Sequence, residues 1–132
     1  RAMVAVMRLA GVVQQRVGEV CEGYGITHDQ YNVLRILRGA HPDGHPRFEV
    51  AARLISRAPD VTRLLDRLER QGLVERVRGE QDRRMTVSRI TDEGLQLLDV
   101  VDPEVDAVHA KLALSLSRDA QLELARLCEA LL

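Results

Sequence analysis

The hydrophobic period of this chain switches at Gly72, and that switch limits what its middle third can become. Before it, Val61, Leu64, Leu65 and Leu68 recur at three- and four-residue spacing, the stripe of an amphipathic helix. After it, Leu73-Val-Glu-Arg-Val77 and Met85-Thr-Val-Ser-Arg-Ile90 read as strands, the second with alternating apolar residues. The stretch between them, Arg78-Gly-Glu-Gln-Asp-Arg-Arg84, is too charged to be buried. The expectation is a helix that ends at Gly72 and continues directly into a β-hairpin. Pro59 fits the first position of that helix, where a missing N–H costs nothing. Asp60 then falls in the first turn, where the helix dipole favours an acid.

Helices are expected on either side. Tyr24, Tyr31 and Phe48 are the only aromatics among 132 residues and there is no Trp, so the core must come from Leu, Val and Ala. Residues 2–22 read as one long helix that stops near Gly23 and Gly25. Thr27-His-Asp-Gln30 is a capping box that starts a second helix, ended by Gly39. His41-Pro-Asp-Gly-His-Pro46 carries two prolines and a glycine and is expected to be irregular. A short helix follows over about 48–55, with Ser56-Arg57-Ala58 as a tight connector. Thr91, Asp92 and Glu93 restart a helix in which Pro103 either introduces a kink or makes a division, a long kinked helix being favoured. Ser117 is the expected N-cap of a last helix running to Leu132.

Charge is informative only when divided. The whole chain carries a net charge of −1. From Arg53 to Ile90, however, ten arginines face six acids, leaving an acidic remainder. A cationic middle carried by acidic helices suits an anion-binding module on a scaffold. Short helix, tight turn, amphipathic helix and Arg-tipped hairpin together make the winged helix-turn-helix layout. A major groove about 12 Å wide admits one helix, on which Thr62, Arg63 and Arg67 lie off the apolar stripe. The hairpin can reach an adjacent minor groove, whose potential attracts guanidinium. The bland alternative is a solvated helix face, with Asp60 and Asp66 paired to Arg63, and a hairpin tip holding only an Asp82–Arg84 ion pair.

The segment from Leu54-Ile-Ser-Arg-Ala-Pro-Asp-Val-Thr-Arg63 through Leu-Leu-Asp-Arg-Leu-Glu-Arg-Gln-Gly-Leu-Val-Glu-Arg76, followed by Asp82-Arg-Arg84 and Ile90-Thr-Asp-Glu-Gly94, resembles the MarR family of transcriptional regulators. The strong match spans about residues 47–98. The resemblance implies a mainly α fold with a small β-hairpin wing. One domain, 1–132, would comprise a winged helix-turn-helix lobe at 47–90 and helical dimerisation segments at 1–39 and 91–132. It implies a homodimer that binds double-stranded DNA at a pseudo-palindromic operator, acts as a repressor, and responds to a small-molecule inducer. Carried over position by position, the DNA contacts fall on Arg57, Pro59, Asp60, Thr62, Arg63 and Arg67. In the wing they fall on Arg84, with Asp82 holding its guanidinium and Arg83 on the backbone. At Ala58-Pro59-Asp60 the chain departs from the commoner Ser/Thr pattern, which weakens a simple phosphate grip at the helix start. Tyr24, His28 and Tyr31 lie where the resemblance places a ligand crevice, although Tyr31 is equally at home in the core.

The rival reading is a winged-helix module that binds protein and not DNA. An enzyme is not expected, because no nucleophile–base arrangement, paired carboxylate or phosphate loop occurs. No cofactor is expected. His41 and His45 have a spacing that suggests a metal, but an irregular loop does not fix ligand geometry. Cys21 lies towards the negative end of its helix, which disfavours a thiolate, and Cys128 sits on an apolar face. No apolar run of about 18 residues and no signal-peptide pattern occurs, so no membrane partner and a cytoplasmic location are expected. Because Arg1 already falls inside a helical pattern, further residues are expected upstream.

Overall fold

The computed structural model describes residues 1–55 and 60–132. Helix α1 (Ala2–Glu22) runs as expected, with only its C-terminal half contributing buried residues, Val17 and Cys21. Gly25 then adopts φ 78°, a left-handed conformation open to glycine, and turns the chain into the next helix. Helix α2 (His28–Gly39) begins with the capping box seen in the sequence. The Gln30 N–H donates to Thr27 Oγ1 at 3.1 Å, and the Thr27 N–H donates to Gln30 Oε1 at 2.9 Å. Val33, Leu34 and Leu37 make α2 the central helix of the core.

The segment expected to be irregular is only partly so. His45–Pro46 forms β1, which pairs antiparallel with β3 (Thr86–Ile90) in the register His45 to Ser88 and Pro46 to Val87. The hairpin is therefore a three-stranded sheet, ordered β1-β3-β2, with β2 at Val74–Arg78. An edge strand of two residues tolerates proline, since the N–H it lacks need not serve a second neighbour. Gly44, at φ 82°, leads into it so closely that a Cβ would lie 2.4 Å from the Ser88 carbonyl oxygen.

Helix α3 (Arg47–Arg53) ends two residues before the expected position. Helix α4 covers Val61–Arg70, so Asp60 is its N-cap and does not sit in the first turn. The carboxylate accepts the Arg63 N–H at 3.0 Å, which explains why Asp at this point starts a helix. The expected Ser56–Ala58 connector and the placement of Pro59 lie outside the described residues. Leu65 and Leu68 are buried, while Val61 and Leu64 are half-buried at the stripe's edge. Gly72, at φ 76°, makes the turn into β2.

Thr91 caps α5 (Asp92–Ala113) by accepting the Gly94 N–H, and its own hydroxyl donates to the Gly72 carbonyl at 2.7 Å. This ties the start of α5 to the end of α4. Gly94 is packed so tightly that a Cβ would meet the Leu73 oxygen at 2.5 Å and Ile90 Cγ1 at 2.6 Å. Pro103 lies inside α5, which continues past it as one helix. Ser117 caps α6 (Arg118–Glu129) as expected, and the helix stops short of Leu132. The core joins Val17, Leu34, Leu37, Val50, Leu65, Leu68, Val74, Ile90, Leu98 and Val101. Helix α6 contributes no buried residue among those described.

Candidate nucleic-acid interface

Burying Leu65 and Leu68 turns the opposite side of α4 outward. Thr62, Arg63 and Arg67 are all exposed there. Arg63 is only loosely engaged: its Nε lies 3.9 Å from Asp60 Oδ2, and its side chain is 79% exposed. Asp66 does not pair with Arg63. It binds Arg76 on β2, which Glu69 Oε2 also approaches at 3.4 Å. Arg89 is taken in the same way by Glu75 across the β2–β3 ladder, at 2.5 Å. The acids of this region thus neutralise the arginines at the base of the sheet. Among the described residues, Arg67, Arg70, Arg78, Arg83 and Arg84 have no ion-pair partner.

The wing tip is ordered by its own backbone. The Gly79 N–H donates to the Met85 carbonyl at 2.8 Å, and the Met85 N–H to the Asp82 carbonyl at 3.0 Å. The role expected for Asp82 needs correcting. Its Oδ1 accepts the backbone N–H of Arg84 at 2.9 Å, and it forms no ion pair with the Arg84 guanidinium. A two-residue separation places an Asp carboxylate beside a main-chain amide, the local turn geometry that short side chains favour. The Arg83 and Arg84 side chains are left exposed. Thr62 carries a contact that no local spacing signals: its hydroxyl accepts an N–H from Arg47 Nη1 at 2.9 Å. Arg57 and Pro59 lie outside the described residues.

A second region of interest lies between α1, α2 and α5. An open cavity of about 750 Å³ there is walled by Val13, Val17, His28, Tyr31, Arg35 and His109, among others. Tyr31 fills both roles left open by its sequence position. It is buried, and it also forms part of the cavity wall. Its hydroxyl donates to Asp102 Oδ1 at 2.5 Å, and Arg38 holds the other carboxylate oxygen at 2.5 Å. Burial and this hydrogen bond push the Tyr31 pKa up, while the Arg35 guanidinium lies 5.7 Å from the ring centre. Burial also lowers the His28 pKa. Tyr24 is not part of the wall; the nearby Glu104 carboxylate raises its pKa. Cys21 is fully buried, and desolvation pushes its thiol up to about 11.

The outer surface of α1 exposes Met3, Val4 and Met7, and α6 exposes Leu122 and Leu127. No helix among the described residues is long and apolar enough to cross a membrane.

A short helix and then an amphipathic helix, followed directly by a strand pair with a basic tip, define the winged helix-turn-helix class. Known proteins specify it further. The family model described as MarR family matches residues 24–85. A MarR transcription factor from Planctomyces limnophilus is 36% identical, with a TM-score of 0.75 over 98% of this chain and 93% of its own. The chain belongs to the MarR family, which is a family of transcriptional regulators. The MepR–DNA complex of S. aureus superimposes with a TM-score of 0.85 at 25% identity, over 99% of this chain and 96% of that one. Among curated relatives, the HTH-type transcriptional regulator PrsX of Escherichia coli is 32% identical over 63% of this chain and 50% of its own length. The chain spans about half the length of curated relatives such as this one.

Proposed function

We propose that this chain is a sequence-specific, double-stranded-DNA-binding transcriptional regulator that acts as a homodimeric, ligand-responsive repressor. The observation that carries the reading is the distribution of unneutralised cations. Among the described residues, Arg67 on α4 and Arg83 and Arg84 at the wing tip are exposed without acid partners, and Arg63 is held only loosely. Inserted into a major groove, α4 would present Thr62, Arg63 and Arg67 to base edges and phosphates. Arg84 would enter the flanking minor groove, with Arg83 on the backbone and Asp82 shaping the tip. Asp60 would act mainly through its cap, because the Arg63 N–H it occupies is one a phosphate would otherwise use. Arg57 and Pro59 complete the proposed contact set on the strength of the sequence. That a relative, MepR, has been solved with DNA supports this reading over a protein-interaction module.

In this reading residues 1–132 form one domain, with the lobe at 47–90 and dimerisation segments at 1–39 and 91–132. The exposed apolar side chains of α1 and α6 support pairing, since a monomer would leave them in water. The cavity between α1, α2 and α5 is the proposed inducer site. The reading assigns the chain no catalytic step, cofactor or metal, and a cytoplasmic location.

The test is a fluorescence-anisotropy titration against the intergenic DNA upstream of the protein's own gene. With six to ten phosphate contacts, affinity falls by about 10³–10⁵ between 50 and 200 mM salt. A salt-insensitive interaction, or none with any duplex, would refute the assignment.

A further inference from the structure

We propose that Arg47 is an additional DNA-contacting residue, which clamps a backbone phosphate while holding the Thr62 hydroxyl in place on the recognition face. The inference rests on the DNA-binding reading above and extends it to a residue outside the contact set carried by the sequence.

Arg47 opens α3 and lies fifteen positions before Thr62, yet its Nη1 meets Thr62 Oγ1 at 2.9 Å. Both side chains are exposed. This hydrogen bond is too wet to be what joins the two helices; buried Val50, Leu65 and Leu68 do that. What the contact does fix is position. It brings a guanidinium from α3 to the exposed side of α4, beside a residue that faces outward.

The charge of that guanidinium is available. Among the described residues no carboxylate lies within ion-pair distance of Arg47. Arg53 on the same helix differs, because Glu49 holds its Nε at 3.4 Å. A guanidinium has five N–H donors in a planar fork, and the Thr62 contact occupies one Nη1 donor. The remainder can meet a phosphate with two parallel bonds. Helix-turn-helix proteins place the second helix in the groove while the first crosses the sugar–phosphate backbone. A cation at the meeting of those helices therefore stands where a phosphate passes. The Thr62 hydroxyl keeps its own proton while accepting from Arg47, so it remains a donor toward a base-edge acceptor or a phosphate oxygen.

The experiment uses the full chain and two labelled duplexes, the upstream intergenic fragment and a random 30-base-pair sequence. Arg47→Gln, Arg53→Gln and Thr62→Val are compared with wild type by anisotropy across a salt series, with thermal midpoints as a fold control. Arg47→Gln is expected to weaken both duplexes alike and to lower the slope of log affinity against log salt by about 1 per subunit. Arg53→Gln, whose charge is already paired, is expected to change the slope less. Thr62→Val is expected to narrow the difference between the two duplexes with little change in slope. An unchanged slope for Arg47→Gln, or equal changes for Arg47→Gln and Arg53→Gln, overturns the proposal. A fall in thermal midpoint with no change in slope does the same and leaves Arg47 as a strap between helices. Failure of wild type to bind either duplex defeats the broader DNA-binding reading, and is visible before any variant is compared.

Discussion

Gln30 and Gln71, forty-one residues apart, meet amide to amide: Gln30 Nε2 donates to Gln71 Oε1 at 3.1 Å. Each amide has a second task. Gln30 Oε1 completes the capping box of α2, and Gln71 Nε2 donates to the Gly25 carbonyl at 2.9 Å. The start of α2 and the end of α4 are therefore secured by one polar chain. Removing Gln71 leaves the buried Gln30 amide without its partner. Gln71→Ala is expected to cost roughly 1 kcal/mol of stability in urea denaturation. Gln71→Glu should restore part of that loss, because a carboxylate oxygen can still accept from Gln30.

The Asp102 carboxylate predicts an acid limb. Burial pushes its pKa up, but hydrogen bonds from Tyr31 and Arg38 more than reverse this and hold it below the ordinary 3.8. A carboxyl lowered on folding stabilises the native state above its unfolded pKa, and that contribution is lost as pH falls through the folded value. Melting curves should therefore lose stability below about pH 4, with a shallower decline in Asp102→Asn. Tyr31→Phe should cost about 1–2 kcal/mol at neutral pH. Equal acid limbs in wild type and Asp102→Asn would show that other carboxylates dominate.

Cys21 predicts the opposite slope at high pH. Its thiol is raised from 9.0 to about 11, so burial favours the neutral form in the folded state. The stabilisation is complete below the unfolded value and is lost as pH rises from 9.0 towards about 11. Near neutral pH, iodoacetamide should label Cys21 slowly in the native protein and rapidly in denaturant. Rapid native labelling of Cys21 would contradict the burial.

The interface predicts two different failures. Arg84→Ala should weaken DNA binding most where the flanking sequence is A·T-rich, because a narrow minor groove attracts guanidinium. Arg63→Ala should relax preference at a central base pair. Competition titrations with flank-substituted and centre-substituted duplexes separate the two, and identical loss on every duplex for both variants would refute the division of labour.

Much of this was legible in the sequence because the signals were local. The Thr27–Gln30 box, the Ser117 cap, the helix restart at Thr91 and the period switch at Gly72 each act within a few residues, and each appears where its spacing places it. Strand β1 was hidden because two residues containing a proline carry no period, and only the Ser88 partner reveals them. Asp60 was displaced by one step: the same residue suits a cap or a first turn, and the Arg63 N–H decides for the cap. At the wing, Asp82-Arg83-Arg84 showed opposite charges side by side, but not that the carboxylate would choose a main-chain amide. The tally of ten arginines against six acids likewise did not say which cations stay free, because Asp66, Glu69 and Glu75 lie beyond helix-neighbour spacing from the Arg76 and Arg89 they neutralise. Long-range pairs such as Tyr31–Asp102 and Arg47–Thr62 leave no local trace at all.

The grip of Asp66 and Glu69 on Arg76, together with the buried Leu68 and Val74, joins the proposed groove-reading helix to the first strand of the wing. Two probes welded at the root cannot be adjusted one at a time. On the proposed reading, an effector lodged between α1, α2 and α5 would swing the pair as a single tool head, and so govern where both land together without changing the angle between them.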